Sequence, residues 1–213
     1  YKLFLNQMKY LKYKIPLNNI EEKFNIKDLK IDRLNIIDVK LNFSKPFQKI
    51  SNISNSYNEK SFKLALKLLK KNTYTGLING PISKRHFLKK KFPGVTEYIA
   101  NKTNSSQPVM LIYNKMLAVN PLSTHIPIKN VAKFVKKERI INNFKKINNF
   151  YKLRLGIKPS FAILGLNPHC ESIDKVSEEK NEIIPSIRYL KKKKIIVDGP
   201  FAADTFFLDK NIK

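Results

Sequence analysis

Apolar residues recur along the chain at two spacings, and the switches between them mark out elements. Phe4, Met8 and Leu11 follow one another at helical spacing, which predicts an amphipathic helix over residues 3–14, ended by Pro16. Residues 28–43 mix Leu29, Ile31, Leu34, Ile36, Ile37 and Val39 with polar positions and are predicted as strand. Residues 44–56 are rich in Ser, Asn and Pro and read as a loop. Ser56-Tyr57-Asn58-Glu59 fits a capping box, after which Phe62, Ala65, Leu66 and Leu69 share one face of a helix reaching about Lys71. Residues 75–79 are a short apolar strand that stops at Gly80-Pro81.

The second half repeats the alternation. Residues 109–113 and 116–119 are predicted as two strands joined by a tight turn at Asn114-Lys115. A long helix is expected over 129–154, with Val131, Phe134, Val135, Ile140, Phe144, Ile147 and Tyr151 on its apolar stripe. Pro159 introduces a buried-type strand at 161–164. A helix over 178–191 carries Ile183, Ile184, Ile187 and Leu190, and Pro185 places its start either at Glu178 or at the proline itself, which a first turn tolerates. Residues 195–197 form the last strand. Alternating helices and strands indicate an α/β fold. No repeat, linker or composition break marks a boundary, so residues 1–213 read as one region.

Composition narrows the class. With 42% apolar and 11% aromatic residues in 213, the chain can bury a core and is not disordered throughout. No apolar run approaches the ~20 residues of a membrane-spanning helix. The opening Tyr1-Lys2-Leu3-Phe4-Leu5-Asn6-Gln7 lacks the apolar core and cleavage site of a signal peptide. A single cysteine, Cys170, cannot form an internal disulfide, so a reducing, cytoplasmic setting is expected. The 42 Lys and Arg residues against 16 Asp and Glu give a net charge of +26, which attracts phosphates, nucleic acid or acidic lipid. Lys, Asn and Ile all have A/T-rich codons, however, and the lysines are spread over the whole length. The tightest runs, at 89–91 and 191–194, have no interleaved aromatic residues, as a nucleic-acid platform would. A base-composition bias therefore accounts for the charge better than a polyanionic partner does.

There is no Gly-x-Gly-x-x-Gly, no P-loop, no nucleophile elbow and no Cys-x-x-Cys. What stands out is a polar, proline-bearing turn after each of four predicted strands: residues 79–84, 123–127, 165–169 and 198–205. In open α/β sheets, ligands bind beyond the carboxyl ends of the strands. His125 lies in the second turn and His169 in the third, and two neutral imidazoles on rigid turns can share a divalent ion. A solvent-facing side chain is the competing reading for either histidine alone. His86 sits in a basic, helical-looking stretch and reads as a surface residue, and Cys170 beside His169 reads as incidental.

At these turns the chain resembles the 4-hydroxythreonine-4-phosphate dehydrogenase (PdxA) family. The stretches are LINGPISKRHF (77–87), FPGVTEYIA (92–100), STHIPIKNVAKFV (123–135), AILGLNPHCES (162–172) and DGPFAADTFF (198–207), in the family's order and spacing. The resemblance implies an isocitrate/isopropylmalate dehydrogenase-like fold of two α/β lobes with the active site in the interlobe cleft, in a homodimer. It implies NAD-dependent oxidation of the 3-hydroxyl of 4-phosphooxy-L-threonine, and loss of carbon dioxide to give 3-amino-2-oxopropyl phosphate, in pyridoxal 5'-phosphate (vitamin B6) biosynthesis. NADP is an alternative to NAD, and the implied divalent metal ion is Zn, Mg or Co. Its ligands are three histidines, two of which match His125 and His169.

The departures matter as much. The family's Gly-His-Thr-Glu, whose His and Thr contact substrate, reads Gly94-Val95-Thr96-Glu97 here, so Thr96 carries over while Val95 has no hydrogen-bonding side chain. After His169 the family has a glycine-rich turn, where this chain has residues 170–175 without glycine. The third metal histidine, reached from the partner subunit, and much of the cofactor site lie beyond the stretch present here. The expectation is therefore of a fragment lacking both termini, with little dehydrogenase activity alone. Two other readings stand beside this one: a related metal-dependent dehydrogenase of another hydroxy acid, kept open by Val95, and a basic nucleic-acid-binding protein on an enzyme fold.

Overall fold

The first helix, α1 (Lys2–Tyr10), ends earlier than its apolar spacing predicts. Pro16 is not what stops it. Lys12 adopts a left-handed φ of 59°, and the Tyr13 amide donates back to the Met8 carbonyl at 2.9 Å, a Schellman closure. The same closure ends α3 (Val95–Lys102), through Asn104, and α6 (Ile184–Lys192), through Lys194. The chain has six glycines, and lysine or asparagine takes the left-handed position that glycine usually fills.

The computed structural model describes residues 1–71, 74–89, 91–170 and 176–208. They fall into two compact units, Tyr1–Ser106 and Gln107–Lys213. In the first, β1 (Leu17–Ile20) pairs in parallel with β2 (Leu34–Ile37), Leu17 opposite Leu34 and Ile20 opposite Ile37. The strand expected over 28–43 is thus only four residues long, and its partner β1 carried no clear signal in the sequence. Ile31, counted towards that strand, is fully exposed in the preceding turn.

Helix α2 (Asn52–Leu69) starts inside the expected loop, ahead of the Ser56 box. Ser51 is the N-cap residue, and its amide donates to the Ser54 hydroxyl at 3.0 Å. The strand expected at 75–79 does not form among the described residues; Ile78 is 99% exposed and finds no partner strand. The core of this unit is aromatic. Phe62 of α2, Phe87 and Phe92 surround Tyr98 of α3 with ring centroids 5.1–5.5 Å from it, edge to face.

In the second unit β3 (Ile112–Tyr113) and β4 (Ala118–Val119) form the expected hairpin, closed by the Asn114 amide on the Leu117 carbonyl at 2.9 Å. The long helix expected over 129–154 is broken into α4 (Val131–Phe134) and α5 (Lys137–Phe150). The break has two causes. Val135 leaves helical geometry to bury its side chain in the core, and Glu182 accepts the Lys137 amide at 2.7 Å and the Lys136 ammonium at 2.8 Å, capping a new helix. A π-helical turn, Tyr151–Leu155, carries α5 to Gly156.

Strand β5 (Phe161–Leu164) falls where the sequence places it and pairs in parallel with β6 (Val197–Phe201), which begins two residues later than expected. The crossover passes through a π-helical turn, Glu179–Ile183, and α6, with Pro185 in its first turn. Ile163, Ile183, Ile187, Leu190 and Val197 bury against Val135 and Ile140 in one apolar core. The architecture is mixed α/β, and none of its described helices is long and apolar enough to cross a membrane.

Candidate functional site

The parallel pairing of β5 and β6 sets the polar turns that follow them side by side. At the end of β5 the Gly165 amide donates to the Phe201 carbonyl at 2.9 Å, and the Ala203 amide donates to the Pro168 carbonyl at 2.8 Å. These two bonds tie the turn at 165–170 to the turn at 202–207, and His169 meets Asp204 across them, with Nδ1 to Oδ2 at 3.0 Å. The imidazole is otherwise open to solvent, its side chain 75% exposed. Both residues lie beyond the carboxyl ends of parallel strands, where α/β proteins bind ligands.

A buried carboxylate shapes the turn that carries His169. Glu179 is 2% exposed, and its Oε1 accepts the amides of Leu166 at 2.8 Å and Asn167 at 2.9 Å. Its Oε2 accepts the Asn167 side-chain amide at 3.0 Å. Burial alone raises a carboxyl pKa, but the hydrogen bonds from Asn167, from the Glu179 amide itself and from Leu166 together outweigh it and hold Glu179 below the ordinary value. The turn leaves no spare room: a Cβ on Gly165 would lie 2.5 Å from Cys170 Sγ. The thiol is pushed up in pKa, first by burial and further by the charges of Glu179 and Asp204, although a hydrogen bond with the Gly165 backbone acts the other way. It is a protonated packing group at neutral pH.

His125 lies in the same unit, exposed, on a turn where its own φ is +54°. Leu122 and Leu166, each three residues before a histidine, pack against one and the same core cluster, so both turns are pinned to it. The structure joins His169 to Asp204 but does not bring His125 in to complete a group of three; among the described residues no three His, Cys, Asp or Glu side chains form a metal cluster. Residues 171–175, which stand where the resemblance places a glycine-rich turn, lie outside the described residues.

Val95 and Thr96 begin α3 in the first unit. Val95 packs against the apolar cluster of Phe62, Leu88 and Tyr98. Next to them, Glu97 Oε2 is buried with no hydrogen-bond partner among the described residues. His86 is exposed, as expected, with its Nδ1 at 2.8 Å from the Ser83 hydroxyl. Asp204 and Glu179 were not singled out from the sequence. The former lies in one of the four polar turns, which was a signal. The latter is one of two consecutive glutamates at a helix start and had none.

These features define an α/β chain with a histidine–carboxylate pair at a parallel strand edge. The profile of the family described as pyridoxal phosphate biosynthetic protein PdxA matches residues 2–213, and the chain belongs to that family. It is 34% identical over 196 residues to a 4-hydroxythreonine-4-phosphate dehydrogenase of Sulfurihydrogenibium, covering 89% of this chain and 60% of that one. To its counterpart in Aquifex aeolicus it is 35% identical over 139 residues, 63% of this chain and 43% of the relative. In fold it is similar to the crystal structure of a 4-hydroxythreonine-4-phosphate dehydrogenase of Burkholderia phymatum, with a TM-score of 0.80 at 24% identity over 98% of this chain and 65% of that one. The chain thus spans about three fifths or less of the length of these two curated relatives.

Proposed function

We propose that this chain is part of an NAD-dependent 4-hydroxythreonine-4-phosphate dehydrogenase, which oxidises the 3-hydroxyl of 4-phosphooxy-L-threonine and releases carbon dioxide and 3-amino-2-oxopropyl phosphate in vitamin B6 biosynthesis. The observation that carries this reading is the family match over residues 2–213, with two of its motifs, GLNPH and GPFAADT, tied together at the ends of β5 and β6. In the whole enzyme the proposed architecture is the two-lobe, isocitrate dehydrogenase-like one, as a cytoplasmic homodimer.

His169 and His125 are the proposed ligands of a divalent ion (Zn, Mg or Co). Their exposed imidazoles fit that role, since neither ring is spent on core packing. When bound, such a cation supplies Lewis acidity toward the substrate hydroxyl and positive charge as carbon dioxide leaves, while the nicotinamide supplies the hydride acceptor. The chain's own part is to fix positions. The Glu179 carboxylate holds the main chain of Leu166 and Asn167, and this sets where the His169 backbone stands. Thr96 offers a hydroxyl in the first turn of α3 for a substrate oxygen.

The test is NAD reduction by the complete protein on 4-phosphooxy-L-threonine, with NADP compared alongside. His169→Ala and His125→Ala are each expected to lower kcat/KM by at least about a hundredfold. Full activity in both variants would overturn the assignment. A second reading, a dehydrogenase of a different hydroxy acid, draws on Val95, whose side chain packs on an apolar cluster and cannot donate to substrate. Val95→His separates the two: a change in substrate preference supports this second reading, and an unchanged preference removes it.

A further inference from the structure

We propose that Asn167 contacts the bound ligand: its side-chain carbonyl oxygen, Oδ1, accepts a hydrogen bond from an N–H group of the substrate or the nicotinamide cofactor, and Glu179 is the positioning residue that turns this oxygen outward. This rests on the dehydrogenase reading and adds to it a contact, an atom and the device that sets it.

An ionised carboxylate only accepts, so the 3.0 Å contact between Glu179 Oε2 and the Asn167 side chain is made by Nδ2, and this fixes which way the amide faces. The Asn167 main-chain amide donates to the other oxygen of the same carboxylate at 2.9 Å, which closes a ring through the side chain and leaves neither of its torsions free. Two main-chain bonds, from Leu166 and Asn167, already hold the turn; the third acts only on the direction of the amide. Oδ1 diverges from Nδ2 on the same planar carbon, so it faces away from the carboxylate. No described residue donates to it. Nor is it sealed in. Asn167 is half-buried, and the oxygens that are both buried and unpartnered among the described residues are Ser51 Oγ, Asn55 Oδ1 and Glu97 Oε2. Solvent therefore reaches an acceptor that is fixed in direction and has no donor, beyond the end of β5 and two residues before His169, where α/β proteins bind ligands. An acceptor already held in place loses little freedom on binding. The proposed substrate carries an ammonium on the carbon next to its reacting hydroxyl, and the nicotinamide carries a carboxamide NH2. Both are N–H donors, which a carbonyl oxygen suits and an amide nitrogen does not.

The test compares ligand pairs on the complete protein, with dissociation constants from calorimetry and kcat and KM from NAD reduction. One pair is NAD and acetylpyridine adenine dinucleotide, whose acetyl group has no N–H. The other is 4-phosphooxy-L-threonine and the analogue with hydrogen in place of its amino group. Asn167→Ala is expected to narrow the preference for the N–H-bearing member of one pair by about tenfold, in binding and in KM, and the pair that responds names the donor. Glu179→Gln should narrow the same preference with Asn167 still present. The glutamine nitrogen donates where the carboxylate accepted, so the Asn167 amide flips and offers Nδ2 to the ligand. The preference is a ratio read within each variant, so a loss of folded protein cancels from it. Should Asn167→Ala not fold, Asn167→Ser, which also lacks the carbonyl, carries the same comparison. Unchanged preferences in both pairs overturn the proposal, as does an equal weakening of all four ligands, which marks a structural role only. A narrowed preference in Asn167→Ala with none in Glu179→Gln removes Glu179 from it. A parent protein that binds neither pair overturns the dehydrogenase reading itself, and the proposal with it.

Discussion

Glu179 holds Asn167 twice, through the main-chain amide at 2.9 Å and through the side-chain amide at 3.0 Å. With the Leu166 amide, at least three donors among the described residues meet one buried carboxylate. Glu179→Ala strands them and is expected to cost about 3 kcal/mol of stability in a urea titration. Glu179→Gln can keep only part of the set, because its own amide nitrogen donates where an acceptor is needed.

The same carboxylate gives the chain a pH dependence. Its native pKa lies below the ordinary 4.5, so it binds fewer protons folded than unfolded. The stabilisation is complete above about pH 4.5 and fades as the pH falls through the lowered native value. The stability difference between the parent and Glu179→Gln, followed by unfolding midpoints, should therefore be constant near neutrality and shrink in acid. A difference that grows in acid would contradict the lowered pKa.

Gly199 cannot accept a side chain. Its φ is +128°, and a Cβ there would stand 2.3 Å from the Ile163 carbonyl oxygen, a main-chain atom that cannot step aside. Gly199→Ala is expected to destabilise by more than about 3 kcal/mol in thermal or urea unfolding, through strain and through disruption of the β5–β6 register. The turns bearing His169 and Asp204 hang on that register, so the contact between the two side chains should loosen with it.

Lys194 is the opposite case. It takes a left-handed φ of 59° where α6 ends, and the Ile195 amide closes back on the Leu190 carbonyl at 3.2 Å. A lysine there bears a steric cost that glycine does not. Lys194→Gly is expected to raise stability by about 0.5–1 kcal/mol, visible as a higher unfolding midpoint.

Glu182 substitutes for a missing cap. The residue before α5 is Lys136, a poor N-cap, and the Glu182 carboxylate reaches across to accept the Lys137 amide at 2.7 Å. Hydrogen bonds from the Lys136 ammonium and the Lys137 amide keep Glu182 below its ordinary pKa. Glu182→Ala is expected to cost about 1 kcal/mol, and Glu182→Gln less, in chemical unfolding.

Elements whose signal is local were legible in the sequence. β5 has a proline before it and a turn after it, and α6 begins around Pro185 as a first turn allows. What failed was whatever another part of the chain decides. The gap between α4 and α5 depends on Glu182, some 45 residues on, and on the pull of the core on Val135. The apolar run at 75–79 meets no partner strand among the described residues and stays irregular, and β1 is a strand because Leu34–Ile37 lies beside it. The site divides in the same way. The polar turns and their histidines could be read from motifs, while the buried carboxylate that shapes one of them could not, since a glutamate at a helix start usually faces water.

The chain's one thiol is half-buried at the end of the turn that presents His169, against Gly165. A cysteine-directed reagent therefore meets a thiol that the turn shields in part, and its labelling rate reports on that shielding. The protein carries its own gauge of how tightly this corner is shut, and any bound species that clamps His169 from outside should slow the alkylation without touching the sulfur.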